Sequence, residues 1–291
     1  MATNANHTQP AQLYAERKLS QGYPDLERLA FEQFVATQSA KPDDTPRVER
    51  LVRLLGRLIT LDGHQTVCVI GCGPVPQPIR ILRGMGYTVT GVEPVPLFVQ
   101  AAGEYLGDAN AVLQGAAESI PLPTASQDLV FFDNVLEHVE SPVLSLSEIF
   151  RVLKPGGITY LTTTNRHRVS FVGANFEYNV RFFNWFPRLL KESYIFRHLH
   201  YEPRIANYTE RPAVHWFSFA DLCAVGRLAG FAQFYSPFDL RTRRDAASVR
   251  NPIKRWLLGG WPLEAVQRNP LLRTLALTQI GGEIIMLKRP A

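Results

Sequence analysis

Val67-Cys68-Val69-Ile70-Gly71-Cys72-Gly73 is an apolar run that ends in a Gly-x-Gly turn. Tyr87-Thr88-Val89-Thr90-Gly91-Val92 is a second apolar run, and Glu93 closes it twenty residues after Gly73. The layout predicts strand, glycine turn, helix, strand, acid. Glycines let backbone N–H groups approach a ligand closely, and a carboxylate there can accept hydrogen bonds from two ribose hydroxyls. The pattern therefore suits a ligand that carries a nucleoside.

A Gly-x-Gly turn alone has low specificity, but the downstream sequence adds to it. Ala117-Glu118-Ser119-Ile120-Pro121-Leu122-Pro123 leads into Asp128-Leu129-Val130-Phe131-Phe132-Asp133-Asn134-Val135-Leu136-Glu137-His138-Val139. Glu148-Ile149-Phe150-Arg151-Val152-Leu153-Lys154-Pro155-Gly156-Gly157 follows. This series resembles the class I S-adenosylmethionine (SAM)-dependent methyltransferases, in particular their small-molecule branch. The resemblance covers about residues 60–165, with a weaker echo at His215–Phe231 and in the C-terminal strand. It implies an α/β fold: a Rossmann-like, seven-stranded, mostly parallel sheet with helices on both faces. It also implies SAM as cofactor, S-adenosylhomocysteine as product, and methyl transfer.

Alternation along the chain supports the same architecture from the residues alone. Strands are expected near 67–71, 87–92, 110–114, 128–133 and 158–163, with helices near 77–84, 95–106, 142–152 and 218–229. Such alternation argues for a parallel sheet covered on both faces. Gly156-Gly157 is expected to turn the helix near 142–152 into the fifth strand. Two last strands near 232–239 and 282–288 should pair as a hairpin-like edge.

The N-terminal residues 1–60 read as a helical cover over the domain formed by 61–291. Leu26, Leu29, Ala30, Phe34 and Val35 make one apolar stripe; Val48, Leu51, Val52, Leu55, Leu58 and Ile59 make another. Tyr14 is a candidate lid residue. Two inserts interrupt the alternation, 166–217 and 241–280. The first holds 14 Phe, Tyr or Trp residues in 171–219, of 31 in the chain. That is more aromatic surface than a loop needs, so it reads as a substrate cap, or as a small core shared with the N-terminal helices.

Composition bounds the rest. A chain of 291 residues, 46% hydrophobic, suits one large domain or a domain with a cap. Cys68, Cys72 and Cys223 have no metal-ligand spacing and no disulfide pattern, which points to a reducing compartment, the cytoplasm. Met1 to Pro10 is polar and predicts no signal peptide. The charge is uneven: residues 1–180 carry 14 Lys/Arg and 18 Asp/Glu, and residues 181–273 carry 15 and 7. The basic part could face an anionic substrate, a membrane surface or nucleic acid, or simply solvent. Trp256, Leu257, Leu258, Trp261 and Leu263 lie beside Arg250, Lys254 and Arg255. For 250–263 self-packing or a homodimer contact is the favoured reading, and peripheral membrane contact the other.

By resemblance, the cofactor-binding residues are Gly71, Cys72, Gly73, Glu93, Pro94, Ala117, Glu118, Asp133, Asn134 and Val135. Gly71-Cys72-Gly73 should pass under the methionine part, Glu93 should hold the ribose, Pro94 and Val95 should lie by adenine, and the Ala117 N–H should reach the ring. The chain departs from the family at Val69 and Ala116, where acids are usual, and at Val75, where a glycine is usual. Methyl transfer is an in-line displacement that needs alignment first, and a base only if the acceptor carries a proton of high pKa. The candidates for that base are His167, His215 and Tyr178, with Glu177 beside them. His167 leads because it follows the fifth strand; a structural role is favoured for His215 and for His138. No metal site is expected. The acceptor reads as a small molecule, aromatic or lipid-like if the insert's aromatics line the pocket. The rivals are a non-catalytic SAM-binding or assembly protein and an RNA methyltransferase. No catalytic cysteine pair and no (D/N)PP(F/Y) motif accompany the basic half, which disfavours nucleic acid.

Overall fold

Helix α1 (Thr45–Leu55) carries Pro46 in its first turn, where a fixed φ and a missing N–H cost nothing. Its Val48, Leu51, Val52, Leu54 and Leu55 are all buried, at the spacing that lays one helix face on a core. The computed structural model describes residues 35–36, 38–167, 186–194, 215–242, 244–245, 255–256, 261–279 and 282–290. The chain divides into two compact units, Met1–Ala40 with Ser170–Val214, and Lys41–Val169 with His215–Ala291. Helix α1 falls in the larger unit, where its apolar face is part of the sheet's own core.

In the larger unit α1 is followed by β1 (Thr66–Ile70), α2 (Gln77–Gly84), β2 (Thr88–Glu93), α3 (Pro96–Leu106), β3 (Val112–Gln114), β4 (Gln127–Asp133), α4 (Pro142–Val152) and β5 (Leu153–Thr162). Helix α5 (Arg188–Tyr194) belongs to the smaller unit; it buries Lys191 and exposes Leu189 and Leu190. The larger unit resumes with α6 (Phe219–Leu228), β6 (Gln233–Tyr235), α7 (Pro237–Leu240), α8 (Trp261–Arg268), α9 (Pro270–Gln279) and β7 (Ile284–Leu287). No described helix is long and apolar enough to cross a membrane.

The seven strands lie in the order β3-β2-β1-β4-β5-β7-β6. Every pairing is parallel except those of β7, which runs antiparallel to β5 and to β6. Alternate side chains feed two cores, as the strand period requires. Val67, Val69, Val89, Phe131, Tyr160 and Ile285 face α1, α2 and α3. Cys68, Ile70, Val130, Phe132, Leu161 and Ile284 face α4 and α6. Apolar residues on both faces explain why these strands read as continuous apolar runs.

Gly156-Gly157 does not turn the helix into the strand. Strand β5 begins at Leu153, directly after α4, and the glycines sit in a bulge where the register moves from Gln127↔Leu153 to Leu129↔Ile158. A Cβ on Gly157 would lie 3.0 Å from the carbonyl oxygens of Asp128 and Lys154, so the close backbone approach needs glycine there. Lys154 Nζ meets Asp128 Oδ2 at 2.7 Å across this bulge, and the same oxygen accepts Thr66 N–H and Oγ1–H at 2.8 Å. One carboxylate thus ties β1, β4 and β5 together. The insert 241–280 contains α8 and α9, helices that its sequence pattern did not announce. The aromatic residues at 171–185 lie outside the described residues.

Candidate functional site

The sheet reverses its winding between β1 and β4, and the loops leaving the carboxyl ends of neighbouring strands meet at such a switch point. Here they do meet. Gly71 follows β1 with φ +64°, and a Cβ on it would lie 2.4 Å from Cγ2 of Val135, which follows β4. Only glycine tolerates both the left-handed backbone and the contact. The Gly71 N–H donates to the Val92 carbonyl at 2.7 Å, which joins this loop to β2 as well.

Glu93 ends β2 and is 4% exposed. Its Oε2 accepts the Gly73 N–H at 2.9 Å and its Oε1 accepts the Val95 N–H at 3.2 Å. Two backbone donors fix the carboxylate's plane. Pro94, next to it, is exposed. Cys72 turns its Sγ toward Gly91, to within 3.0 Å of where a Cβ on that glycine would be. Burial, then Glu93, hold the Cys72 thiol well above the ordinary cysteine range, and burial pushes Cys68 up to about 12. Neither is a thiolate nucleophile; Cys72 can reach a ligand through its backbone.

The end of β4 is organised by side chains. Asp133 Oδ2 forms an ion pair with Arg47 of α1, and Asp133 Oδ1 accepts from the Thr162 hydroxyl. Arg47 is also bonded to Asp44 at 2.9 Å. Burial works against the Arg47 charge, but Asp133, Tyr160 and Asp44 outweigh it and hold the guanidinium firmly protonated. Asn134 has φ +55°, a left-handed backbone that Asn adopts more readily than most residues. Its N–H donates to the carbonyl and hydroxyl oxygens of Thr162 at 3.0 and 3.1 Å. Glu283 stands just ahead of β7, one register step beyond Leu161↔Ile284 and so level with Thr162. Burial raises its carboxyl pKa, against the pull of Arg241. Arg47, Thr162 and Glu283 are the residues that sequence reasoning missed. The only signal for Arg47 was its place one helical turn from the N-terminus of α1.

The remaining sequence candidates fall into clear places. Ala117 is buried in the core that faces α4 and α6. Glu118 is half-buried, and its Oε1 accepts the N–H groups of Glu140 and Ser141 at 2.8 and 3.3 Å. It braces the start of α4, which is a structural duty. His215 Nε2 lies 2.9 Å from the Val139 carbonyl, so that nitrogen carries the proton and donates. The His215 N–H also donates to the Glu137 carbonyl at 3.3 Å, and Thr164 Oγ1 donates to the His215 carbonyl at 2.8 Å. His215 therefore ties the chain before α6 to the Leu136–Val139 turn. Glu137 itself is buried and accepts from Thr163 Oγ1 at 2.8 Å. His138 donates its N–H to the Val135 carbonyl, within the same turn. His167 is exposed, with Arg166 and Asp221 beside it at the start of α6. Tyr178, Glu177 and Tyr14 lie outside the described residues.

Residues 68–161 match the family model of the methyltransferase domain. This segment, about a third of the chain, is thus similar to methyltransferase domains. Among similar proteins, an uncharacterized methyltransferase of Mycobacterium bovis is 38% identical over 82 residues, 28% of this chain and 32% of that protein. A malonyl-[acyl-carrier protein] O-methyltransferase of Serratia marcescens is 32% identical over 111 residues, 38% of this chain and 42% of that protein. The chain thus spans about a third to two fifths of the length of these relatives. A solved Galdieria sulphuraria structure, provisionally described as a sarcosine dimethylglycine methyltransferase, aligns at TM-score 0.50 and 14% identity. That alignment covers 84% of this chain and 86% of the other, and shows a likeness of fold.

Proposed function

We propose that the methyltransferase domain binds SAM across the ends of β1, β2 and β4, and that the chain transfers its methyl group to a small-molecule acceptor. The position of Glu93 carries this reading: a nearly buried carboxylate, oriented by two backbone N–H groups, at the end of the second strand. A nucleoside with two vicinal hydroxyls matches that acceptor better than a bare anion does, because a carboxylate repels anions. Gly71, Cys72 and Gly73 supply backbone beneath the amino-acid end, Pro94 and the Ala117 N–H flank the base, and Asn134 with Val135 close the far side. SAM supplies a methyl group on positively charged sulfur. The chain's own task is alignment and exclusion of water, which can lower a barrier by several kcal/mol.

The acceptor side lies toward β4 and β5. Asp133 is there, but Arg47 and Thr162 hold it, so its duty in this reading is to set the Asn134 turn. His167 and Tyr178 stay as candidate bases. His215 is the weakest of the three, since its Nε2 proton is committed to Val139 and only Nδ1 could take a proton. An aromatic or lipid-like acceptor is favoured by the aromatic content of 171–219.

Calorimetric titration with SAM and S-adenosylhomocysteine tests the cofactor assignment. Micromolar binding by wild type, weakened tenfold or more by Glu93→Ala, about 1.4 kcal/mol, is expected. Absence of binding in the wild type would sink the reading. Binding with no labelled-methyl transfer to any aromatic, lipid-like or carrier-bound acceptor would favour a non-catalytic SAM-binding protein instead.

A further inference from the structure

A cleft of about 580 Å³ opens beside the end of α1, the segment after α7, and helix α8. Arg57, Arg241 and Arg244 line it, together with Thr242 and Gln267, and Glu264 is the one acid among its described lining residues. None of these residues belongs to the loops at Gly71, Glu93 and Asn134.

The charge in this cleft is organised. Arg57 donates to both oxygens of Asp245, at 2.8 and 2.9 Å, and to the Leu240 carbonyl. Asp245 Oδ2 also accepts the Thr242 N–H at 2.6 Å and its hydroxyl at 3.2 Å. Burial works against the Asp245 charge, but these bonds outweigh it and hold the carboxyl below its ordinary range. Asp245 is thus taken up by Arg57 and its own turn. Gln267 of α8 donates to the carbonyls of Phe238 and Arg241 at 2.7 and 3.0 Å, which clamps the segment that presents Arg241. Arg241 and Arg244 line the cleft with Glu264, and Arg241 also feels the carboxyl of Glu283.

Guanidinium groups are planar, permanently charged and weakly hydrated, and their paired N–H groups match phosphate oxygens. The cleft has the volume of a small-molecule site rather than of a single ion. We propose that it binds the phosphate group of a phosphate-bearing small molecule, with Arg241 and Arg244 as the principal contacts, on a segment that the Arg57–Asp245 pair holds in place. This assignment does not depend on methyl transfer.

The test is calorimetric titration of the full chain with inorganic pyrophosphate at low salt, in parallel with flotation on vesicles containing phosphatidic acid. Wild type, Arg241→Gln, Arg244→Gln and, as a control on the exposed face of α1, Arg53→Gln are compared at matched melting midpoints. Saturable pyrophosphate binding, weakened about five- to tenfold by each cleft substitution and untouched by Arg53→Gln, is the expected result. Vesicle binding that only the cleft substitutions abolish, without pyrophosphate binding, would keep the phosphate chemistry and assign it to a lipid headgroup. Binding of neither probe, or binding that the cleft substitutions leave unchanged, overturns the proposal.

Discussion

Between β1 and β2 the site is made of backbone N–H groups and one carboxylate, whereas between β4 and β5 it is made of side chains from segments far apart in sequence. Gly73, Glu93 and Val95 lie within one βαβ unit. Arg47 and Asp133 are 86 residues apart, and Thr162 lies another 29 beyond. The first region is thus set by local chain geometry and is sensitive to added atoms. The second is set by long-range pairing and is sensitive to lost charges.

The most severe way to break this contrast is Gly71→Ala. An alanine there combines a left-handed backbone with a Cβ 2.4 Å from Val135, and should cost about 2–4 kcal/mol in urea denaturation. A loss under about 1 kcal/mol would mean that the two loops can part, and that their contact does not define the site. Glu93→Gln comes next. It keeps the shape but turns an amide toward backbone donors, and should cost about 1–2 kcal/mol of stability in the same measurement. An unchanged midpoint would show that the carboxylate is held by something other than Gly73 and Val95.

The second region should respond more mildly. The Arg47–Asp133 side chains are 35% and 25% exposed, so a double-mutant cycle with Arg47→Met and Asp133→Asn should give a coupling of about 1 kcal/mol. Zero coupling would make Asp133 available to a ligand rather than committed to α1. Smaller again is the pH response of Asp128. Burial tends to raise its pKa, but Lys154 and Thr66 outweigh that, and the folded value lies below the unfolded one. Its contribution is therefore fully present above about pH 4 and is lost as pH falls through the folded value. Asp128→Asn should flatten that acid limb of the melting midpoint without altering the midpoint's trend above pH 5, a result that would fail if Lys154 were not its partner.

The legible part of the site is the part that sequence-local rules govern. The Gly-x-Gly turn and the acid twenty residues later could be read because strand, turn and helix impose fixed spacings. Glu118 is the opposite case: Glu140 and Ser141 come back to it across a turn that no spacing encodes. His215 is likewise held by partners that no spacing announces, the carbonyls of Val139 and Glu137. Gly156-Gly157 was assigned to a connection when it forms a bulge, since a glycine pair marks close backbone approach without saying whose backbone approaches.

By itself the sequence determined the order of strands and helices from α1 to β5, the two-faced apolar cores and the acid that ends β2. Those follow from periodicity and from glycine's conformational range, both properties of neighbouring residues. Only the tertiary structure decided that Asp133 belongs to Arg47, that Glu283 stands level with Thr162, and that Arg57, Arg241 and Arg244 share one cleft. Charged side chains find partners by distance in space, and their pairing leaves no period in the chain.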